Sequence, residues 1–215
     1  MQKIKIILAD DHKMIREGLR KILESTTDLE VVGEVSNGME VIDAVQKHTP
    51  DLLVLDISMP GKNGFDILKD IQSMGLNSAT KVLILSMHPE DNFALRAIKS
   101  GASGYLTKES AADELLNAVR KIGQGGRYIT TNLAEKLAFD FAFDADKDPI
   151  NNLSNREFQI LQLIAKGIPQ QEIASTLHLS PSTVNTYRSR LLEKLDLSST
   201  AELIKFALEK GIVEN

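Results

Sequence analysis

The run from Asp51 to Asp56 constrains the fold of this 215-residue chain more than any other stretch. Four apolar residues stand in a row between the two carboxylates, and a Met-Pro-Gly turn begins at Met59. A short apolar run that ends in a turn is typical of a strand buried on both faces of a parallel sheet. Ligands of open α/β sheets bind at the carboxyl ends of strands, so we expect Asp56 to serve chemistry. A solvated loop carboxylate is the alternative.

The first 125 residues repeat this pattern. Short β-branched runs alternate with stretches that carry apolar residues at three- and four-residue spacing, which predicts alternating strands and helices. The predicted strands are residues 3–10, 29–35, 51–56, 81–86 and 103–107, and the predicted helices are 12–25, 38–48, 64–74, 91–100 and 111–122. This alternation predicts right-handed crossovers and a doubly wound, five-stranded parallel sheet covered on both faces.

Polar side chains stand at the predicted carboxyl ends of four of these strands. They are Asp10 and Asp11 after the first strand, Asp56 after the third, Ser86 at the end of the fourth and Lys108 after the fifth. Scattered polar residues would fall about equally at both edges of the sheet, whereas these strand ends all meet at one edge. The sequence therefore predicts one cluster, which is more specific than any of its members.

Three carboxylates in one cluster repel one another, by roughly 4 kcal/mol for each pair at about 4 Å and an effective dielectric near 20. A proton or a cation must therefore be shared among them. Oxygen ligands favour Mg²⁺. Lys108 adds a positive charge and Ser86 a hydroxyl donor, and both suit a phosphoryl group on Asp56. These residues predict a metal-assisted phosphoryl acceptor, with an ordinary solvated Lys108 as the alternative.

The cluster and the turn that follows Asp56 resemble the receiver domain of two-component response regulators over about residues 3–123. The residues that carry this resemblance are Asp10, Asp11, Asp56, Met59, Pro60, Gly61, Ser86 and Lys108. It implies a flavodoxin/CheY-like α/β fold and a sensor histidine kinase that donates a phosphoryl group to Asp56. Asp11, Asp56 and the backbone carbonyl of Ser58 would bind Mg²⁺, and Asp10 would reach it mainly through water.

The resemblance also implies a two-state switch. Lys108 would pair with one phosphoryl oxygen, and Ser86 would hydrogen-bond another while Tyr105 turns inward behind it. A simple edge-of-sheet aromatic is the alternative for Tyr105. We expect His12 and His88 at the rim of the site rather than as ligands.

The two halves of the sequence differ in charge, which favours two domains. Residues 1–149 carry 18 basic and 23 acidic residues, whereas residues 150–215 carry 7 of each. We place a receiver domain at 1–124, a linker at 125–149 and a second domain at 150–215. Composition alone does not suggest nucleic acid as a partner of either part.

Apolar residues at helical spacing predict a linking helix over about residues 131–143, followed by an acidic hinge at 144–149. Phe139, Phe141 and Phe143 stand at alternate positions, so one face of a helix cannot bury all three. We expect at least one of them to dock on the receiver or on a second subunit.

Composition also bears on the compartment. The chain contains no cysteine, which rules out disulfides, thiolate metal sites and cysteine nucleophiles, and fits a reducing compartment. The sequence has no long apolar run and opens directly on a strand pattern, without the pattern of a cleavable leader. We therefore expect a cytoplasmic protein with no membrane partner.

The last segment is helical throughout in pattern, with helices over about residues 155–166, 169–177, 181–195 and 200–210. A tight turn joins the second and third of these, which predicts a helix-turn-helix unit in a small four-helix domain. The apolar stripe of the third helix consists of Val184, Tyr187, Leu191 and Leu195. The opposite face carries short polar side chains, which suit close approach to base edges in a major groove.

This segment resembles the LuxR-type DNA-binding domain of the NarL/FixJ class of regulators over about residues 150–213. The residues that carry the resemblance are Leu153, Ser154, Arg156, Glu157, Leu161, Ile164, Ala165, Gly167, Glu172, Ile173, Ala174, Leu177, Leu179, Ser180, Thr183, Val184, Arg188, Lys194, Leu195, Ala201, Glu202 and Leu203. It implies double-stranded DNA as a partner. The base contacts that it implies are Asn185, Thr186 and Ser189, and the residues for phosphate contacts or packing are Thr183, Arg188, Arg190 and Lys194.

Departures from the family pattern reduce the positive charge of this face. Asn185 and Tyr187 stand where Lys and His are common, and Pro-Gln-Gln at 169–171 replaces a more usual Ser-Asn-Lys. We expect weaker phosphate contacts and a flatter salt dependence, whose slope is about −0.9 for each phosphate neutralised. Arg188 lies close to the apolar stripe, so we expect it to be half buried. A neutral domain needs a second copy to hold DNA, which predicts a homodimer on activation.

The sequence thus predicts a phosphorylation-switched transcription factor that acts with a histidine kinase, DNA and RNA polymerase. One alternative is an aspartyl-phosphate phosphatase, but such enzymes place a general acid two residues after the nucleophile, where this chain has Ser58. We therefore expect no enzymatic activity other than promotion of the chain's own phosphorylation and dephosphorylation. A receiver that controls a protein partner is the second alternative.

Overall fold

The computed structural model describes residues 3–87, 90–110, 112–131, 133–135, 149–177 and 179–213. The chain divides into two compact units, Met1–Leu133 and Ala134–Asn215. Among the described residues, no helix is both long and apolar enough to cross a bilayer. His88, the three linker phenylalanines, most of the predicted linking helix and nearly all of the acidic hinge lie outside the described residues.

The first unit contains a five-stranded parallel sheet with the strand order β2-β1-β3-β4-β5. The strands are β1 (Ile4–Ala9), β2 (Leu29–Val35), β3 (Leu52–Leu55), β4 (Lys81–Ser86) and β5 (Gly104–Thr107). Every residue of β3 is buried, because this strand lies at the centre of the sheet. Ala9 pairs with Leu55 in the register of β1 and β3, so the residues that follow them leave the sheet side by side.

Five helices cover this sheet: α1 (Lys13–Glu24), α2 (Val41–His48), α3 (Gly64–Ser73), α4 (Glu90–Lys99) and α5 (Ala112–Gly123). Helix α1 contacts α5, and α2 contacts α3, as expected when right-handed crossovers place helices on both faces. The predicted parallel α/β fold is confirmed.

One predicted helix is divided. The stretch 38–48 begins as a 3-10 turn, Gly38–Glu40, before α2 starts. The backbone N–H of Gly38 donates to the carbonyl of Pro60, which fixes this turn against the loop after β3. The Asn37 side chain accepts the N–H of Met39 and caps the turn. Periodicity alone does not reveal such a contact between loops.

The second unit is helical. After a 3-10 turn at Pro149–Asn152 come α6 (Asn155–Ala165), α7 (Gln170–Thr176), α8 (Pro181–Leu195) and α9 (Thr200–Glu209). Helix α6 begins with a capping box, in which Ser154 and Glu157 hydrogen-bond each other's backbone N–H. Helix α8 starts at Pro181, and the Ser180 side chain accepts the N–H of Thr183. The predicted helix-turn-helix, formed by α7 and α8, is confirmed.

Candidate phosphoacceptor site and nucleic-acid interface

The candidate phosphoacceptor site lies at the carboxyl edge of the sheet. Asp10 follows β1, Asp56 follows β3 and Lys108 follows β5, and the side chains of all three are only 3% exposed. Lys108 Nζ lies 2.6 Å from Asp10 Oδ2 and donates a hydrogen bond of 2.8 Å to Asp56 Oδ2. One ammonium therefore bridges two carboxylates that come from neighbouring strand ends, so the solvated alternative for Lys108 is wrong.

Burial and charge shift the pKa values of Asp56 and Lys108 in opposite directions. Burial raises the pKa of Asp56 above its ordinary value, and the attraction of Lys108 offsets only part of that rise. Burial lowers the pKa of Lys108, but the charges of Asp56 and Asp10 outweigh it and leave that pKa raised. Lys108 thus stays charged at neutral pH, and its charge is available to an incoming anion.

The backbone after β3 shapes the surroundings of Asp56. Ser58 donates its N–H to Asp56 Oδ1 at 3.2 Å. Gly64, the first residue of α3, passes so close that a Cβ would stand 2.8 Å from the carbonyl oxygen of Asp56 and 2.9 Å from the Cα of Ile57. Asn63 caps α3 by accepting the N–H of Asp66. The site therefore needs a glycine at position 64.

Further hydrogen bonds and ion pairs hold the acidic turn after β1. His12 donates its N–H to Asp10 Oδ1 at 2.8 Å, and its ring Nδ1 lies 2.8 Å from Asp11 Oδ1. The guanidinium of Arg16 donates to the carbonyl oxygen of Asp10 at 2.5 Å and to Glu34 at 3.4 Å. The role of Arg16 was not predicted from the sequence. A basic residue one turn into the helix that follows the acidic pair is the feature that could have indicated it.

The two predicted switch residues are buried. Ser86 is 0% exposed and Tyr105 is 1% exposed, and the register pairs Ser86 with Thr107 and Ile84 with Tyr105 across β4 and β5. Tyr105 is therefore a buried residue on the edge strand β5, a position that fits both the switch role and the alternative of a simple edge-of-sheet aromatic.

The acidic cluster fits a hard cation. Ligand atoms of Asp10, Asp11, His12 and Asp56 all lie within 4.8 Å of one another. Asp10 Oδ2 is buried and accepts no well-directed hydrogen bond from the part of the chain that the structure describes, although the Lys108 ammonium is close to it. Carboxylate oxygens with free lone pairs are the ligands that Mg²⁺ takes, and Asp11 is accessible enough to admit it with water. The residues present therefore suit Mg²⁺.

The candidate DNA contacts lie on α8. Asn185, Thr186, Ser189 and Arg190 are exposed, while Val184, Leu191 and Leu195 are buried on the opposite side. Local bonds orient the polar side chains of this face. The Thr186 hydroxyl donates to the carbonyl of Ser182, and the Ser189 hydroxyl donates to the carbonyl of Asn185.

Two further candidates on α8 are half buried. Thr183 is half buried and hydrogen-bonds Ser180 at the start of α8. Arg188 is half buried, as predicted, and donates to Asn185 Oδ1 at 2.7 Å.

Lys194 differs most from the expectation of a phosphate contact. Its ammonium lies 2.8 Å from the buried Glu157 carboxylate and 3.1 Å from the carbonyl of Asn152. The packing alternative therefore describes Lys194 in this structure, because its charge is engaged with α6 and the turn before it. Sequence spacing along α8 could not reveal a partner on another helix.

Comparisons with known proteins agree with this geometry. A family profile of the response regulator receiver domain matches residues 6–120, and a profile of the luxR family of bacterial regulatory proteins matches residues 151–207. The oxygen regulatory protein NreC of Staphylococcus epidermidis is 37% identical, over 98% of this chain and 100% of NreC. The response regulator UvrY of Escherichia coli is 35% identical, over 97% of this chain and 95% of UvrY.

A solved structure shares both parts of the chain. RcsB from Salmonella enterica serovar Typhimurium, bound to a promoter in the presence of phosphomimetic BeF3−, is 25% identical with a TM-score of 0.70, over 97% of this chain and 100% of RcsB. The chain belongs to the response regulators of two-component signal transduction systems. Its LuxR-type DNA-binding domain puts it in the NarL/FixJ class.

Proposed function

We propose that phosphoryl transfer from a sensor histidine kinase to Asp56 controls dimerisation and promoter binding by this response regulator. The observation that supports this most directly is the bridge from Lys108 to Asp10 and Asp56 at the edge of the sheet. It combines a buried carboxylate nucleophile with a cation that is ready to meet phosphoryl oxygens.

The transfer step follows from these positions. A carboxylate oxygen of Asp56 attacks phosphorus, the P–N bond of the kinase phosphohistidine breaks, and its electron pair stays on the imidazole nitrogen. Lys108 and the N–H of Ser58 both point to the Asp56 carboxylate and can donate to the phosphoryl oxygens. Asp10, Asp11, Asp56 and the Ser58 carbonyl would hold Mg²⁺, which would offset the negative charge that the phosphoryl group brings.

The phosphoryl group would act on a two-state element at β4 and β5. Ser86 stands buried beside the site and would donate its hydroxyl to a phosphoryl oxygen, while the ring of Tyr105 repacks behind it. A shift from mostly inactive to mostly active needs about 5.5 kcal/mol of differential stabilisation. A dianion that gains an ammonium, a hydroxyl and a metal ion can supply much of this.

The output would be a dimer on DNA in the cytoplasm. Asn185, Thr186 and Ser189 would contact base edges, with Arg188, Arg190 and Thr183 beside the phosphates or packed against the domain. The α8 face carries little positive charge, so two copies on adjacent half-sites would raise affinity through effective concentration. Contact with RNA polymerase would then change transcription.

Catalytic turnover is not part of this proposal. Ser58 occupies the position where aspartyl-phosphate phosphatases place a general acid, and an aliphatic hydroxyl is too weak an acid to protonate a leaving group well. The receiver would promote only its own phosphorylation and dephosphorylation.

Intact-mass spectrometry tests the phosphoryl step. The native chain, Asp56→Asn and Asp43→Asn are incubated with acetyl phosphate and Mg²⁺, where Asp43 is an exposed carboxylate on α2. We expect a single phosphoryl adduct on the native chain and on Asp43→Asn but none on Asp56→Asn. Gel filtration and DNA retention of the same samples should show dimers and tighter binding only where the adduct forms. An unmodified native chain, beside a control regulator that is modified, would overturn the proposal.

A further inference from the structure

A cavity of about 260 Å³ lies within the helical unit, between the four helices α6 to α9. Its apolar wall is formed by Ile164, Ile173, Val184 and Ile204, and one cation, Arg188, also lines it. None of the described residues that line this cavity is acidic. A small pocket with an apolar wall and a single charged group is the usual form of a site for a small ligand.

Arg188 lines this cavity with an incompletely paired guanidinium. One terminal nitrogen donates to Asn185 Oδ1 at 2.7 Å, whereas Nε is buried and has no hydrogen-bond partner among the described residues. A buried donor without an acceptor is costly, and the cost is larger when the group carries a charge. A guanidinium can pair with both oxygens of a carboxylate through two parallel N–H donors.

The size and polarity of the cavity select the ligand. At roughly 30 Å³ for each water-sized group, the cavity holds about eight non-hydrogen atoms. The apolar wall disfavours a strongly hydrated anion such as inorganic phosphate, because the wall cannot replace its hydration. We propose that this cavity binds a small amphipathic monocarboxylate, whose carboxylate pairs with Arg188 and whose hydrocarbon chain lies against the isoleucines.

Binding at this cavity would affect the DNA-reading face, which is the exposed side of α8 with Asn185, Thr186, Ser189 and Arg190. The effect would pass through one hydrogen bond. A carboxylate that competes for the Arg188 guanidinium would weaken the bond to Asn185 and free its side-chain oxygen. Asn185 is exposed on α8 and is a candidate base contact. This coupling step rests on the proposed function, whereas the binding step does not.

Calorimetry on the full-length chain without DNA tests the binding step. The probes are hexanoate, hexan-1-ol and hexylammonium, which share a six-carbon chain and differ in charge. We expect saturable binding of hexanoate with a Kd of about 1 mM, typical of the affinity that about eight atoms supply. The alcohol and the ammonium should bind at least about tenfold more weakly, because neither can pair with a guanidinium.

Two variants locate the site. Arg188→Met keeps the bulk of the side chain and removes its charge, and it should weaken hexanoate binding about tenfold. Ile204→Phe fills the cavity from a half-buried position and should abolish binding. The matched control is Lys205→Met, which removes one positive charge from the 75%-exposed neighbouring side chain on α9 and should leave the hexanoate affinity within about twofold. Side-chain amide signals of Gln170 and Asn185 should shift with hexanoate in the native chain and in Lys205→Met.

Several results would overturn the proposal that this cavity binds a monocarboxylate. They are equal binding of hexanoate and hexan-1-ol, no saturable binding up to about 30 times the expected Kd, or hexanoate binding that survives both Arg188→Met and Ile204→Phe. If a side chain of a second copy fills the cavity, ultracentrifugation will show weaker self-association of Ile204→Phe and hexanoate will not bind, which also overturns it.

DNA retention with and without saturating hexanoate tests the coupling step. We expect a change in DNA affinity for the native chain and none for Arg188→Met. An unchanged affinity for the native chain would overturn the coupling. A native chain that retains no DNA under any condition would instead count against the proposed function, and the calorimetric result would be unaffected.

Discussion

The proposed phosphoacceptor site and the proposed DNA-reading face of this response regulator are assembled in opposite ways. The first gathers Asp10, Asp56 and Lys108, which are far apart in sequence, and buries their side chains to 3% exposure. The second draws its candidate contacts from one helix, α8, and leaves most of them exposed. The geometry of the first site depends on how strands and loops meet. The geometry of the second depends on which side of a single helix its residues fall.

This difference predicts how each site responds to substitution. Residues around the phosphoacceptor site touch the backbone of distant segments, so a change there should affect folding and chemistry together. The side chains on the exposed face of α8 bond mainly to their own helix. Changes on that face should leave stability nearly constant and alter only binding.

The largest expected effect is that of Gly64→Ala. The new Cβ would stand 2.8 Å from the carbonyl oxygen of Asp56, which is backbone and cannot rotate away. We expect a loss of about 3 kcal/mol in the stability of the receiver, measured by urea unfolding with hydrogen exchange of β3 peptides. The control is Gly18→Ala on α1, where the Cβ would meet no atom within 4 Å and should stabilise by up to about 1 kcal/mol. Equal stability of Gly64→Ala and Gly18→Ala would show that the close approach of Gly64 to the Asp56 carbonyl does not constrain the residue at position 64.

A second effect concerns the buried charge of the helical unit. Glu157→Ala removes both the capping-box carboxylate and the partner of Lys194, and it should lower the stability of that unit by about 2 kcal/mol in urea unfolding. Glu193→Ala, on the exposed face of α8, should change the stability by less than about 0.5 kcal/mol. A Glu193→Ala variant that is as unstable as Glu157→Ala would show that exposure does not separate these sites.

A smaller effect is expected from Asn185→Lys, which adds a charge to the DNA-reading face. Non-specific DNA binding should tighten by about fivefold near physiological salt, and the salt slope should steepen by about 0.9. Titrations at several salt concentrations measure both quantities. Gln124→Lys adds the same charge on an exposed residue after α5 and should leave the slope unchanged. An unchanged slope for Asn185→Lys would show that this position does not face the duplex.

The smallest expected effect is a dependence of stability on pH, which tests the role of the Glu157 carboxylate. Burial raises the pKa of Glu157, but hydrogen bonds from Lys194 and Ser154 outweigh it and leave the pKa below its ordinary value of 4.5. The stability from this carboxylate is therefore fully present above pH 4.5 and is lost as the pH falls through the lower pKa of the folded state. Urea unfolding of the helical unit at decreasing pH should show this loss. A Glu157→Gln variant that loses stability as steeply in the same range would contradict the assignment.

Patterns that are local in sequence predicted this fold well. Strand β4 and helix α8 have the predicted limits, because their ends carry local signals such as Ser180 before Pro181. The cluster of strand-end residues was predictable too, since parallel topology alone places those ends together. Contacts between elements were not predictable. The Arg16 bond to the Asp10 carbonyl and the Lys194 bond to Glu157 each join side chains whose meeting depends on tertiary packing.

The Glu157 carboxylate has a mechanical consequence. One of its oxygens accepts hydrogen bonds from the backbone N–H of Ser154, just before α6, and from the ammonium of Lys194, near the end of α8. The start of α6 and the last turn of α8 are therefore joined through a single atom. A displacement of the backbone at Ser154 is transmitted to α8 through this carboxylate.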